Sequence, residues 1–325
     1  MICDLLIDGN YILNKNTFAL HKNNLLFGAL LKSLEISISN YRKWYPFANV
    51  YLVSDSREKS WRKKILNEYK GKRKPDPGID WSFVMETYTQ FKESLQLDTK
   101  VKVLEAPHIE GDDWISFITN EANKNGRSTI TISNDYDIKQ LVKYSVSPTY
   151  INIMSNEIQN KQKLFLPKNY QIFLNDVNKM NNDDIFNLND NHDFLRLIES
   201  LIERYEAIEV DALESLMLKV VSGDKSDNIS SVYFTIKNKK KYGIGEKGAK
   251  SIYDMYNSEF GELKIDDVDL YENIADLICE KKKLSKSLMS SIKDNIDTNI
   301  KLIYLDLNNM PKPVVNKMSE IYAKL

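Results

Sequence analysis

VKVLEAPHIEGDDWI (101–115) holds the pattern that decides the fold. Residues 101–106 form a short run rich in β-branched and apolar side chains, the mark of a strand. The chain turns through Pro107 and His108. Three acids in four residues, Glu110, Asp112 and Asp113, then open a stretch over about 112–124 that reads as a helix. The same order recurs outward in both directions. DLLID (4–8) is a strand ending on Asp8, VYLVSD (50–55) is one ending on Asp55, and STITIS (128–133) is followed by Asp135 and Asp137. Helix-like stretches at about 25–45, 58–70, 82–96 and 112–124 separate these strands. Such alternation predicts an α/β fold: a mostly parallel central sheet with helices on both faces.

In an open parallel sheet the carboxyl ends of the strands share one edge, and ligands bind there. Four chain segments would therefore bring carboxylates to one place. A fifth, GDKSDN (223–228), adds Asp224 and Asp227, which share a face if the segment is helical. Carboxylates so crowded repel and raise each other's pKa. A hard divalent cation relieves this, and all-oxygen ligation favours Mg²⁺ or Mn²⁺ over Zn²⁺. Two such ions about 3.5–4 Å apart activate a water and stabilise the leaving oxygen of a phosphodiester. The three histidines, His21, His108 and His192, include no pair with zinc spacing. One Asp at a strand end is ordinarily a turn residue or helix cap. Asp112 reads equally well as a cap on that ground, and Asp4 is left outside the site as a surface residue. Five segments with the same placement are not explained as caps.

At 325 residues, 42% apolar and 10% aromatic, the chain suits a large globular domain with a smaller one appended. It has no apolar run of membrane-span length. MICDLLIDGN reads as a strand, not a signal peptide. Cys3 and Cys279 form neither a metal motif nor a disulfide framework, which fits a reducing cytoplasm. Setting nine site acids aside from a net charge of −1 leaves +8 on the remainder. The basic runs at 62–74, 237–243 and 281–283 then attract phosphates, although any one alone reads as a solvated face. The division expected is an α/β core over 1–210 and a helical region over 211–325. The core carries a basic, aromatic excursion at about 57–100 and an Asn-rich insertion at about 156–195. A late strand, IKLIYLDL (300–307), interrupts the helical region. In the excursion Arg62, Lys70 and Arg73 fall on one helical face beside Tyr69. The basic groups suit phosphate, and Tyr69 suits stacking on an unpaired base. In YGIGEKGAKSIYDMY (242–256), Gly243, Gly245 and Gly248 allow close backbone approach. The amides entering the next helix can then bind a phosphate, reinforced by Lys247 and Lys250. A simple helix connection is the alternative.

DGN (8–10), the stretch Asp55–Lys74, EGDDWI (110–115), SNDYDIKQL (133–141) and GDKSDN (223–228), in that order, resemble the 5′-nuclease superfamily. That family includes flap endonucleases and the 5′-nuclease domains of bacterial DNA polymerases. GDKSDNISSV and NIKLIYLDLNNMP (299–311) are most similar to the branch of the T-even phage ribonuclease H. The resemblance implies a Mg²⁺-dependent 5′→3′ exonuclease and 5′ flap endonuclease. It would act on RNA primers of RNA–DNA hybrids and on DNA flaps during lagging-strand replication. Asp8, Asp55, Glu110, Asp112, Asp135 and Asp137 would form the first metal site. Asp113, Asp224 and Asp227 would complete the second, partly through water. A helical arch would occupy 57–100, with Lys70 and Arg62 on the scissile phosphate. The glycine-rich turn would belong to a duplex-gripping helix–turn–helix. Two or more Mg²⁺ ions, with Mn²⁺ substituting, are the implied cofactors. DNA, RNA–DNA hybrids and a single-stranded DNA-binding protein are the implied partners of a monomer in a bacterial host's cytoplasm. The interval from Asp137 to Asp224 is longer than in the phage enzymes, and the glycine pattern clearer. Two alternatives are a flap-binding replication scaffold that has lost chemistry and a PIN-type ribonuclease. The first would show missing carboxylates. The second is usually smaller and leaves Lys70 and the glycine turn unexplained.

Overall fold

A computed structural model describes residues 3–44, 48–98, 100–141, 144–146, 149–152, 163–165, 208–209 and 211–325. Its spine is four parallel strands: β1 (Cys3–Asp8), β2 (Ala48–Val53), β3 (Val101–Leu104) and β4 (Ser128–Ile132), in spatial order β3-β2-β1-β4. The register sets Asp8 opposite Val53 and Ile7 opposite Ile132, so the chain leaves β1, β2 and β4 along one edge. Beyond β4 lie β5 (Tyr144–Val146), β6 (Thr149–Asn152), β7 (Lys163–Phe165) and β8 (Ile208–Glu209), with β6 antiparallel to β4. Most of 156–195, including the Asn-rich stretch, lies outside the described residues.

Helices α1 (Gly9–Lys22), α2 (Leu26–Trp44), α3 (Trp81–Gln96) and α4 (Gly111–Lys124) connect the parallel strands. Alternate strand residues point to opposite faces. Leu5, Ile7, Leu52, Ile130 and Ile132 pack with Leu30 and Leu34 of α2 and Val84 and Phe91 of α3. On β2, Tyr51 stacks on Tyr322 of α9 (Lys312–Tyr322), which also meets Phe117 of α4 edge-on. The strands are buried on both faces, as a parallel sheet requires. Asp4 is fully buried rather than at the surface, correcting the sequence reading. Arg127 Nη2 donates to its Oδ2 at 3.0 Å and Asn49 Nδ2 to its Oδ1 at 2.8 Å.

The described chain forms two compact units. The first comprises Met1–Ser60, Pro75–Val210 and Pro311–Leu325; the second comprises Trp61–Lys74 and Asp211–Met310. This differs from the division read in the sequence at both Trp61–Lys74 and Pro311–Leu325. The second unit holds α5 (Ala212–Ser222), a ribbon of β9 (Phe234–Lys237) and β10 (Lys240–Gly243), α6 (Glu246–Phe260), α7 (Leu270–Lys282) and α8 (Met289–Ile303). Val220, Ile252, Ile278, Ile296 and Ile300 lie in its core.

Three further expectations are corrected. Residues 300–307 are not a strand: α8 runs through Ile303 because Ile292, Ile296, Ile300 and Ile303 bury one helical face. Asn309 Nδ2 then satisfies the Ile300 and Tyr304 carbonyls at 3.0 and 2.9 Å. Residues 58–70 form only a 3₁₀ turn at Trp61–Lys64 followed by turns, with Lys70 at φ 55°. Most of the second half of 57–100, as α3, packs in the core of the first unit and not in an arch.

Candidate functional site

Asp8 closes β1 and caps α1. Its Oδ1 accepts the Tyr11 amide at 3.1 Å and its Oδ2 accepts the Ser133 hydroxyl at 2.7 Å. Ser133, beyond β4, also accepts the Asp135 amide at 3.0 Å, and Asp135 Oδ1 accepts the Asp137 amide at 2.9 Å. Asp55, beyond β2, accepts the Gly111 amide of α4 at 2.7 Å. Three strand ends and one helix start thus converge. Burial lifts the Asp8 carboxyl to about 6; Ser133 and Tyr11 pull it down, and the charges of Asp55 and Asp135 push it further up.

At the start of α4, Glu110, Asp112 and Asp113 each offer an oxygen within 4.8 Å of the others. Glu110 and Asp113 are buried. They form a capping box, with the Glu110 amide donating to Asp113 Oδ2 at 3.0 Å. Ser60 Oγ donates to Glu110 Oε2 at 2.9 Å, and the Asp113 amide to Asp112 Oδ1 at 2.8 Å. The helix N-terminus offsets part of this negative charge. The donor set is entirely carboxylate oxygen, which fits a hard divalent cation. Glu110, and not Asp112, caps α4, which corrects the cap reading of Asp112 and leaves its ligand reading independent of a cap.

The floor of this edge was not legible beforehand. Ser54 Oγ and Tyr88 OH are hydrogen-bonded at 2.6 Å in a buried pocket. A Cβ on Gly9 would stand 2.0 Å from Tyr88 OH and 2.8 Å from the Val53 carbonyl, so only glycine fits. Burial raises the Tyr88 hydroxyl far above its ordinary value, helped by the charges of Asp8, Glu105 and Asp55. The available signal was a glycine directly after a strand-end acid.

The remaining residues read from the sequence fall in the second unit. Asp224 and Asp227 lie in a turn, not a helix. Asp224 accepts Lys219 Nζ at 2.9 Å, the Ser226 amide and hydroxyl at 2.7 Å each, and the Asp227 amide at 3.2 Å. Burial alone would raise its pKa, but Lys219 and Ser226 hold it at about 2. Asp227 pairs with Arg73 and gives its carbonyl to the Lys70 amide at 2.8 Å. Arg62 is 1% exposed, its guanidinium stacked 4.5 Å from the Trp61 ring and its Nε donating to the Leu302 carbonyl at 2.9 Å. Tyr69 is 2% exposed within the second core, and Lys70 Nζ lies 5.2 Å from its ring centre. Arg62, Lys70 and Arg73 therefore share no helical face, and Tyr69 offers no ring to a base. The apolar bodies of Trp61, Arg62 and Tyr69 turn inward instead.

In the glycine-rich turn, a Cβ on Gly243 would lie 2.6 Å from Ser231 Cβ and one on Gly248 2.9 Å from Ile244, whereas Gly245 is open and caps α6. Lys247 is exposed. Lys250 is paired with Glu214 at 2.8 Å and Asp254 at 2.9 Å.

A sequence model of the family described as 5′-3′ exonuclease, N-terminal resolvase-like domain, matches residues 4–171, over half of the chain. The chain is 26% identical over 177 residues to a 5′-3′ exonuclease of Buchnera aphidicola subsp. Acyrthosiphon pisum, spanning 52% of this chain and 60% of that protein. It is 22% identical over 290 residues to a 5′-3′ exonuclease of Mycoplasmopsis pulmonis, spanning 89% of this chain and 75% of the relative. It thus covers less than two thirds of the Buchnera relative's length. Among solved structures, T5 D15 protein co-crystallised with metal ions superposes with a TM-score of 0.55 at 17% identity, covering 98% of each chain. T5 D15 flap endonuclease in a pseudo-enzyme-product complex with DNA and metal ions gives 0.56 at 17% identity, covering 98% of this chain and 97% of that one. At such identity the likeness is one of fold. Among the described residues no helix is long and apolar enough to cross a membrane.

Proposed function

The chain belongs to the 5′-3′ exonuclease family, and we propose that it is a divalent-metal-dependent 5′-nuclease, hydrolysing phosphodiesters from 5′ ends and at 5′ flaps. The observation that carries this reading is the gathering of Asp8, Asp55 and Asp135, with Glu110, Asp112 and Asp113 at the start of α4, on the carboxyl edge of the sheet. Nucleic acid as substrate is supported by the names of the relatives and by the DNA bound to the T5 neighbour.

When bound, a divalent cation polarises the phosphate and lowers the pKa of its water. The protein's own groups prepare its seat. Ser133 fixes Asp8 Oδ2, the Gly111 amide orients Asp55, and Ser60 orients Glu110. A carboxyl at about 6 is partly protonated in mildly acidic solution, so a cation at Asp8 would compete with a proton. Asp137, Asp224 and Asp227 as further ligands, and Lys70 and Arg73 as phosphate contacts, rest on motif order. In this reading Arg62 holds its own segment in place. Mg²⁺ is the physiological ion, with Mn²⁺ substituting. RNA primers and DNA flaps are the substrates, a single-stranded DNA-binding protein is a partner, and a monomer works in the cytoplasm. Buried, disulfide-free Cys279 suits that compartment.

The test is a 5′-end-labelled flap duplex incubated with purified protein in Mg²⁺ and in EDTA. Cleavage near the junction only with Mg²⁺ supports the proposal. Tight binding without cleavage moves the assignment to a flap-binding scaffold.

A further inference from the structure

The basic run after GDKSDN folds into a feature that the nuclease reading does not use. Between Ile229 and Gly245 the chain has four lysines and no acid, although its overall charge is −1. Strands β9 and β10 pair antiparallel as a two-stranded ribbon, apart from the main sheet. Asn238 and Lys239 turn its tip with φ of 49° and 61°, the backbone of a two-residue hairpin loop. Positive φ at a lysine is unfavourable, and a lone ribbon is marginal in water. The ribbon also leaves Ile236 66% and Tyr242 54% exposed. Elsewhere in the second unit Lys219, Lys250, Lys286, Lys293 and Lys301 each face a carboxylate. Lys239, Lys240 and Lys241 face none among the described residues.

The register fixes where these charges point. Lys240 and Tyr242 lie on one face of the ribbon; Lys241 lies on the other, beside Ile236, with its ammonium 4.4 Å from the Phe234 ring centre. Lys239 is at the tip. Charge on both faces of a narrow ribbon does not match a single strand, which offers one row of phosphates to one face. It matches a groove walled by two rows. The B-form major groove admits a two-stranded ribbon, whereas the A-form major groove is too narrow for side chains to read.

We propose that the β9–β10 ribbon is a docking element for B-form duplex DNA, seated in the major groove with Lys239, Lys240 and Lys241 on the flanking phosphates. It rests on the nuclease reading for its partner but on none of the carboxylates. Because the lysines engage phosphates and not base edges in this proposal, the grip is independent of sequence.

The experiment measures affinity of the full chain, in EDTA, for a DNA duplex closed by loops at both ends and for a single strand, across a KCl series. Each phosphate contact contributes about 0.9 to the log–log salt slope on duplex DNA. The variant K239A/K240A/K241A should lower the duplex slope by roughly 2–3 and leave the single-strand slope unchanged. The charge-preserving K240R/K241R should keep it, as should K312A/K317A, which removes two exposed charges from α9. An unchanged duplex slope in the triple variant, or an equal loss on single strands, overturns the ribbon assignment while wild-type flap cleavage leaves the nuclease reading standing. Failure of wild-type protein to bind the closed duplex likewise overturns the ribbon assignment, and the flap assay then decides the nuclease reading separately.

Discussion

Asp8→Asn separates the electrostatic account of the site from its proposed metal-binding role. Burial lifts the Asp8 carboxyl from its ordinary 3.8 to about 6 in the metal-free fold. A group that holds its proton more tightly folded than unfolded contributes stability that is fully present below about pH 4. That contribution is lost as the pH rises through about 6. A shift of about two units at about 1.36 kcal/mol each gives at most about 3 kcal/mol, an upper bound because the carboxylate edge retains some solvent contact. Asn is neutral throughout, keeps an acceptor for the Tyr11 amide and can turn its amide toward Ser133 Oγ. In EDTA near pH 7.5 the variant should therefore be more stable than wild type by up to about 3 kcal/mol, the difference vanishing near pH 4. Denaturant melts across that range measure it. With Mg²⁺ added the order should reverse, since the wild type gains binding energy that the variant lacks. A variant less stable at pH 7.5 in EDTA, with a pH profile parallel to wild type, would refute the reasoning.

Gly9→Ala drives a Cβ into Tyr88 OH and the Val53 carbonyl; it should cost about 1–3 kcal/mol in thermal melts, with Tyr88→Phe relieving only part because the carbonyl remains. Arg127→Ala strands the buried Asp4 carboxylate and should cost about 3–5 kcal/mol, much of it recovered by adding Asp4→Asn. Tyr69→Ala should destabilise the protein by about 3–5 kcal/mol as a core truncation, while affinity for single strands, read by anisotropy, stays near wild type. A large affinity loss without destabilisation would restore the base-stacking role.

The strand ends were legible because parallel strands here are short, apolar and buried on both faces, and each stops where an acid begins: Asp8, Asp55 and Asp135 needed no tertiary information. The N-terminus of α4 was legible for the same reason, since EGDD is both a capping sequence and a ligand set. The excursion at 57–74 misled because its charge pattern has helical spacing, while Trp61 and Arg62 are buried and Tyr69 joins a core that the local sequence cannot reveal. The 300–307 run misled because Ile300, Leu302 and Ile303 suit either period, and only their partners Ile292 and Ile296 decide for the helix. The Ser54–Tyr88 pair joins residues 34 positions apart, and nothing in either neighbourhood announces it. The β9–β10 ribbon hid in a run of lysines, a composition that local propensity does not favour in a strand.

The most direct measurement is turnover of a 5′ flap duplex in Mg²⁺ by Asp135→Ala beside wild type, with duplex affinity determined on the same preparations. The account predicts that the variant binds within a few-fold of wild type and cuts nothing. Normal turnover by the variant would contradict it, because the carboxylates on the sheet edge would then not be the seat of the chemistry.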